Sequence, residues 1–285
     1  FFFFSTLAVV RAQDTADSLA FARADWGWQV LDHAQVGAAQ IHLFGAEQYI
    51  SAVRYPARKF RTRIVHAPGE QAGPTSRLAR QNNAKIAVNA SYFNMKNLTP
   101  ATFLKTKGKS YGHTEQSELT RSNGLVMFKR HGRRIDIVSA SPAEYTRLTK
   151  GWKEAIVSGP VLIEQGRNLT ADRHSSFDTT RHPRTMIGYD GDGWIYWVVV
   201  DGRAAGNAAG ATIPEMAAIA QYLGLVEALN LDGGGSSTLW SEATGVVNHP
   251  TDNHKFDHEG ERAVPNIIIT SVRDKHLVFY KLKRK

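Results

Sequence analysis

The chain reads as an α+β protein: a mixed, largely antiparallel sheet or sheets with a few packed helices, forming a single main domain. Three observations predict this. Short apolar runs recur between Gly, Pro, Asn and Asp punctuation along most of the sequence. The clearest helical spacing is confined to one stretch, Ile213, Met216, Ile219, Ala220 and Leu223. Strands and helices do not alternate in the regular order a parallel sheet requires, and no internal repeat of fixed period is visible. The 285 residues, 42% hydrophobic and 21% charged, supply material for a substantial core.

Taken in order, Phe1–Val10 is an apolar run followed by Val10-Arg11-Ala12-Gln13. It resembles the hydrophobic part of a secretion signal, with small residues placed for cleavage after Ala12, so residues 1–12 are set apart. A buried N-terminal strand is the alternative. The run is too short to span a bilayer, so no stable membrane insertion is expected. Residues 13–83 hold strands leading into the domain, at Gln40–Phe44, Tyr49–Tyr55 and Arg63–His66, with Gly45 and Pro56 as punctuation. Thr75–Asn82 reads as a short helix.

The main domain, residues 84–272, opens with a buried strand, Lys85–Asn89, that ends on the polar run Asn89-Ala90-Ser91-Tyr92-Phe93-Asn94. Phe103–Gly124 is polar and reads as an irregular lid or insertion. Strands resume at Gly124–Phe128, Arg134–Val138 and Ala155–Ile163, the last interrupted by Ser158-Gly159-Pro160. Thr170–His182 is a polar loop carrying Arg173, His174, Asp178, Arg181 and His182. Arg184–Tyr189 and Trp194–Val200 flank Asp190-Gly191-Asp192-Gly193, which predicts a hairpin and makes both aspartates turn residues. Asp201-Gly202-Arg203 closes the second strand. Thr212-Ile213-Pro214-Glu215 is a capping box, with Gly224 as the helix stop. Ala263–Thr270 is a final core strand, and residues 273–285 form a C-terminal strand and basic tail.

The chain is organised around Asn230-Leu231-Asp232-Gly233-Gly234-Gly235-Ser236-Ser237-Thr238-Leu239-Trp240. Three successive glycines are unfavourable inside a strand and mark a tight loop between strands. The N–H groups of such a loop can converge on an anion, with Asp232 facing the ligand as a fixed negative charge. The loop lacks the Lys-Ser/Thr pair of a P-loop, and a strand rather than a helix follows it.

A formal net charge of +9 favours anionic partners such as phosphorylated or acidic glycans. The basic clusters at Arg54–Arg63 and Lys281–Lys285 read as solvated faces, and no nucleic-acid motif accompanies them. No cysteine is present. Together with an export signal, that indicates a secreted, periplasmic or cell-surface protein of bacterial type. The loop Asn248–Arg262 holds His249, Asp252, His254, Asp257, His258 and Glu259, yet matches no zinc spacing. Neither a metal nor a cofactor is implied. A serine triad through Ser236 or Ser237 lacks the Gly-x-Ser-x-Gly elbow.

Asn89-Ala90-Ser91-Tyr92-Phe93, Ser158-Gly159-Pro160-Val161-Leu162, Arg184-Thr185-Met186-Ile187-Gly188 and Asp201-Gly202-Arg203 occur in order. They are followed by Gly210-Ala211-Thr212-Ile213-Pro214-Glu215, Asn230–Thr238 and Arg262-Ala263-Val264-Pro265-Asn266. In this order the motifs resemble the phosphodiester glycosidase family, over roughly Lys85–Thr270. Ala90 stands where the family usually has Gly. The resemblance implies cleavage of a sugar–phosphate diester at the glycosidic carbon, releasing a free sugar and a phosphomonoester. It makes Asp232, Asp201 and Arg184 the catalytic candidates, with Asn89, Gly233, Gly234, Ser236 and Asn266 binding substrate; from the chemistry alone, His182 is added as a group that supplies a proton or contacts the phosphate. Arg184 and the glycine N–H groups would stabilise the departing phosphate, and Asp232 or Asp201 would act on the anomeric carbon or on water. Two alternatives from other classes remain: a non-catalytic binder of anionic exopolysaccharide, and a metal-dependent hydrolase using the His249–Glu259 loop.

Overall fold

The computed structural model describes residues 15–129 and 135–272; the expected signal and the basic tail lie outside them. Among the described residues the strands form an eight-stranded sheet, two five-stranded sheets and a small two-stranded one, and every named strand pairing is antiparallel. The protein is α+β. No helix among these residues is long and apolar enough to cross a membrane.

The eight-stranded sheet takes its middle from the predicted hairpin, Arg184–Tyr189 paired with Trp194–Val200 in the register Arg184↔Val200. On one side Trp194–Val200 pairs with Ala46–Pro56 and that with Ala34–Leu43, so the early strands are integral to the sheet. On the other side Arg184–Tyr189 pairs with Glu227–Asn230, and that with Val161–Glu164. The run Ala155–Ile163 is therefore two strands in different sheets. Glu154–Ser158 joins a five-stranded sheet, and the chain crosses at Gly159-Pro160 before Val161 enters the large one.

Side chains of Trp194–Val200 alternate across this sheet, and both faces are covered. Trp197 and Val199 join Ile64, Val88, Val126, Phe128, Ile156 and Ile268 in the central core between the sheets. Val198 and Val200 face the other way, onto Ile213, Met216 and Ile219. Burial on both faces explains why the strand is apolar throughout rather than alternating. Helix Ile213–Tyr222 forms where its capping box predicted, with the Glu215 N–H donating to Thr212 Oγ1 and the Glu215 carboxylate accepting from the Thr212 N–H. Glu215 also pairs with Arg181, so its charge is committed to the fold.

The segment Phe103–Gly124 is more regular than expected. Leu104–Thr106 and Lys109–Tyr111 make a hairpin on the edge of a five-stranded sheet, followed by a short 3-10 turn, Gln116–Glu118. Its polar side chains concealed strands too short to show a period.

Candidate active site

Strand ends from two sheets converge on the glycine loop. Asp232 follows Glu227–Asn230, and its N–H donates to Ala90 O at 2.8 Å, joining the loop to the end of strand Ile86–Asn89. Asn89 is fully buried: its Nδ2 donates to Asp232 O at 2.7 Å, and its Oδ1 accepts from Thr185 Oγ1 and the Thr238 N–H. It is the tie between the sheets at this point. Asn266 is also buried, its Oδ1 accepting from the Ser91 N–H at 2.7 Å while its Nδ2 has no protein partner. Gly234 N–H donates to Pro183 O at 2.8 Å, which brings His182 and Arg184 alongside.

The loop itself is a 3-10 turn, Gly234–Ser236, with Gly234 at φ +62°. Gly233 must be small, because a Cβ there would lie 2.6 Å from Pro183 O. Gly202 is also confined: a Cβ would lie 2.8 Å from Gly210 Cα and 2.9 Å from Pro183 N. The expected cradle of glycine N–H groups is only partly present. Gly233 N–H donates to Asp232 Oδ1 at 2.9 Å and Gly234 N–H to Pro183 O, so the glycines serve close packing more than anion binding.

Asp232 is partly exposed. Burial pushes its carboxyl up to about 6, against the opposing pull of a nearby Ser236 hydroxyl, the Gly233 N–H, and the Arg121 and Arg262 guanidinium groups. Ser236 Oγ is buried and falls short of a full hydrogen bond. Two cations, Arg121 and Arg262, act on this acid, and a third, Arg203, stands beside the same loop. Arg203 is exposed, at φ +61°, beside Gly234. Arg121 lies 4.2 Å from the Tyr92 ring centroid and forks onto Glu118 through two 2.7 Å hydrogen bonds. Arg262 pairs with Asp252 beside Gly235. His182, half-buried, is held below its ordinary value of 6.5 by burial and by Arg184 and Arg203, which makes it neutral at pH 7.

The other two catalytic candidates are buried. Arg184 is 2% exposed; its Nε donates to Ala211 O and one terminal nitrogen to the carbonyls of Phe177 and Thr180. Its guanidinium also lies 4.5 Å from the Phe177 ring centroid, and burial lowers its pKa. Among the described residues no carboxylate pairs with it. Asp201 is 1% exposed. Its Oδ1 accepts from Asn248 Nδ2 at 2.7 Å, and its Oδ2 from the His249 N–H at 2.7 Å, with His249 Nδ1 at 3.1 Å. Burial raises its pKa, and these three contacts oppose the rise. Asn248 also donates to Ser237 O, so the Asp201–His249 pair is fastened to the glycine loop.

His249 therefore belongs to Asp201, stacked on Phe256 at 3.8 Å and on His258 at 4.4 Å between ring centroids. Among the described residues no three His, Asp or Glu side chains converge as metal ligands would. Sequence reasoning passed over Arg121, Arg203, Asn248 and the structural part of His249. Arg203 stood in a quoted motif; Arg121 carried no local signal, since it arrives from the segment read as irregular.

The α+β fold thus brings the raised carboxyl of Asp232 within electrostatic reach of Arg121 and Arg262, with Arg203 beside the same loop. The phosphodiester glycosidase (NAGPA) family model matches residues 82–270, well over half the chain, and the protein belongs to that family. It is 25% identical over 248 residues to mouse N-acetylglucosamine-1-phosphodiester alpha-N-acetylglucosaminidase, covering 78% of this chain and 45% of the mouse protein. It is 27% identical over 206 residues to the SPbeta prophage-derived uncharacterized protein YomE of Bacillus subtilis, covering 69% of this chain and 29% of that one. The chain thus matches less than half the length of either relative. Among solved structures, the zebrafish N-acetylglucosamine-1-phosphodiester alpha-N-acetylglucosaminidase catalytic domain, auto-inhibited by its pro-peptide, superposes with a TM-score of 0.67 at 16% identity, covering 88% of this chain and 87% of that one. A hypothetical protein from Synechocystis superposes at 0.62 with 19% identity, covering 85% of this chain and 62% of that one. These two likenesses show the fold.

Proposed function

We propose that the protein hydrolyses a sugar–phosphate diester at the glycosidic carbon, on a glycan or glycoconjugate, and releases a free sugar and a phosphomonoester. The observation that carries this reading is Asp232: a partly exposed carboxyl raised to about 6, with Arg121 and Arg262 acting on it and Arg203 beside the next loop residue but one, Gly234. The cations draw in the phosphodiester and neutralise charge as the phosphate departs. A phosphomonoester is a good leaving group, its second pKa being near 6, so the reaction asks less of a general acid than an ordinary glycoside does. Asp232, about nine-tenths ionised at pH 7 if it titrates near 6, attacks the anomeric carbon or takes a proton from attacking water.

Arg184 acts from beneath. It fixes Phe177 and the Thr180 turn, and adds positive potential under His182. Asp201, too buried to meet substrate, positions His249. Asn89, Gly233, Gly234, Ser236 and Asn266 hold the loop geometry on which the substrate rests. The setting proposed is outside the cytoplasm, at a cell surface or in a periplasm.

Incubation with an N-acetylglucosamine phosphodiester of a second sugar tests the reading. The native protein is expected to release free sugar, and Asp232→Asn to lower the rate by about two to four orders of magnitude while its circular dichroism is unchanged. Glycan retention without product, surviving Asp232→Asn, would establish a non-catalytic binder instead.

A further inference from the structure

The Arg54–Arg63 cluster, which reads in the sequence as a solvated face, does not act as one unit in the structure. Arg54 is folded back between the Trp28 and Trp194 rings, 5.3 and 5.7 Å from their centroids. Arg61 and Arg63 instead line a cavity of about 180 Å³ together with Thr62, Lys107, Lys153 and Glu154. Arg61, Lys107 and Lys153 are exposed. Among the described residues none of the four cations has a carboxylate within ion-pairing distance.

Glu154 does not neutralise the cavity through a direct pair. Both its oxygens accept from neutral donors: Oε2 from the Ile64 N–H and the Thr106 hydroxyl, Oε1 from the Lys107 N–H. Lys107, at φ +52°, and Gly108, at φ +84°, are the two turn residues of the Leu104–Thr106/Lys109–Tyr111 hairpin. A buried acid thus fixes the backbone of this turn at the edge of a cavity lined by three other cations. Arg63 registers the crowding, its pKa lowered by burial and then by Arg61. Such a gathering of like charge is unfavourable unless an anion completes it.

We propose that this cavity is a second anion site, which takes a phosphate group through Arg61, Arg63, Lys107 and Lys153. It is separate from the site at Asp232. Arg61 pairs with Ser271, whereas His66, on the same strand, pairs with Asn266 beneath the glycine loop. Five residues of strand put roughly 16 Å between the two ends. A phosphate on a glycan chain and free inorganic phosphate share the chemistry.

The test is calorimetric titration of the full chain with inorganic phosphate, run on the native protein, on the triple variant Arg61→Gln, Lys107→Gln, Lys153→Gln, and on Arg203→Gln. The three substituted side chains are exposed, and circular dichroism checks folding. Binding is expected in the native protein, weakened at least about tenfold in the triple variant. The same binding phase should persist in Arg203→Gln. Absence of binding in the native protein, equal binding by the triple variant, or loss in Arg203→Gln would each overturn the site. A parallel titration with a phosphorylated oligosaccharide separates the sources: tighter binding than inorganic phosphate assigns a chain-borne phosphate, and equal or weaker binding assigns the free ion. The readout is binding rather than turnover, so its outcome is independent of the proposed reaction.

Discussion

Asp232 is a residue the fold holds at a cost. A carboxyl raised from 3.8 to about 6 binds its proton more tightly in the folded chain than in the unfolded one. Its contribution is therefore neutral below pH 3.8 and becomes unfavourable as pH rises through 6. Asp232→Asn should accordingly stabilise the protein above pH 7, by about 1–2 kcal/mol once the partial exposure of the group is allowed for, while lowering turnover by about two to four orders of magnitude. Thermal melts at pH 5 and pH 8 check this: the gain from the substitution should be larger at the higher pH. If Asp232 acts ionised, kcat/KM should rise through about pH 6 to a plateau. Little of this was legible in the residue itself. Its place after an apolar run and before three glycines marks a strand end, but the cations that act on it come from positions 121 and 262, brought in by two different connections.

At the scale of elements, the glycine loop functions by how closely it lets the chain pass. Gly233→Ala would drive a Cβ to 2.6 Å from Pro183 O and lift the loop from the His182–Arg184 strand. We expect about 1–3 kcal/mol of lost stability by denaturant titration. A larger fractional loss in kcat than in KM should accompany it, because the displaced group is the acid. The hairpin Arg184–Tyr189/Trp194–Val200 and the helix after Thr212 were readable in advance, since turn chemistry and capping are local and each declares itself within a few residues. The hairpin at Leu104–Thr106 and Lys109–Tyr111 was not, because two three-residue strands have no period to read. Nor was the crossing at Gly159-Pro160, where one apolar run serves two sheets.

Over the whole molecule, the large sheet buries both faces and brings strands from residues 34–56 and 161–230 side by side. Its ends, not its middle, carry the polar groups, so the site sits where loops from distant parts of the sequence meet. Long-range assembly of this kind leaves no mark in any single motif. The ordered set of motifs nevertheless pointed to the family, because each one lies at a strand end or turn of that meeting place. A net charge of +9 adds a field that favours anionic substrates. For a phosphodiester, kcat/KM should therefore fall several-fold as salt is raised to about 0.5 M, whereas a neutral glycoside analogue should show little change.

In the proposed reaction the bond broken joins the anomeric carbon of the sugar to oxygen, with the phosphate leaving whole. Hydrolysis of a sugar phosphodiester in water enriched in heavy oxygen, followed by mass analysis of both products, tests it most directly. Label in the anomeric hydroxyl of the released sugar and none in the phosphomonoester is the predicted result; label in the phosphate would mean attack at phosphorus and would contradict the account.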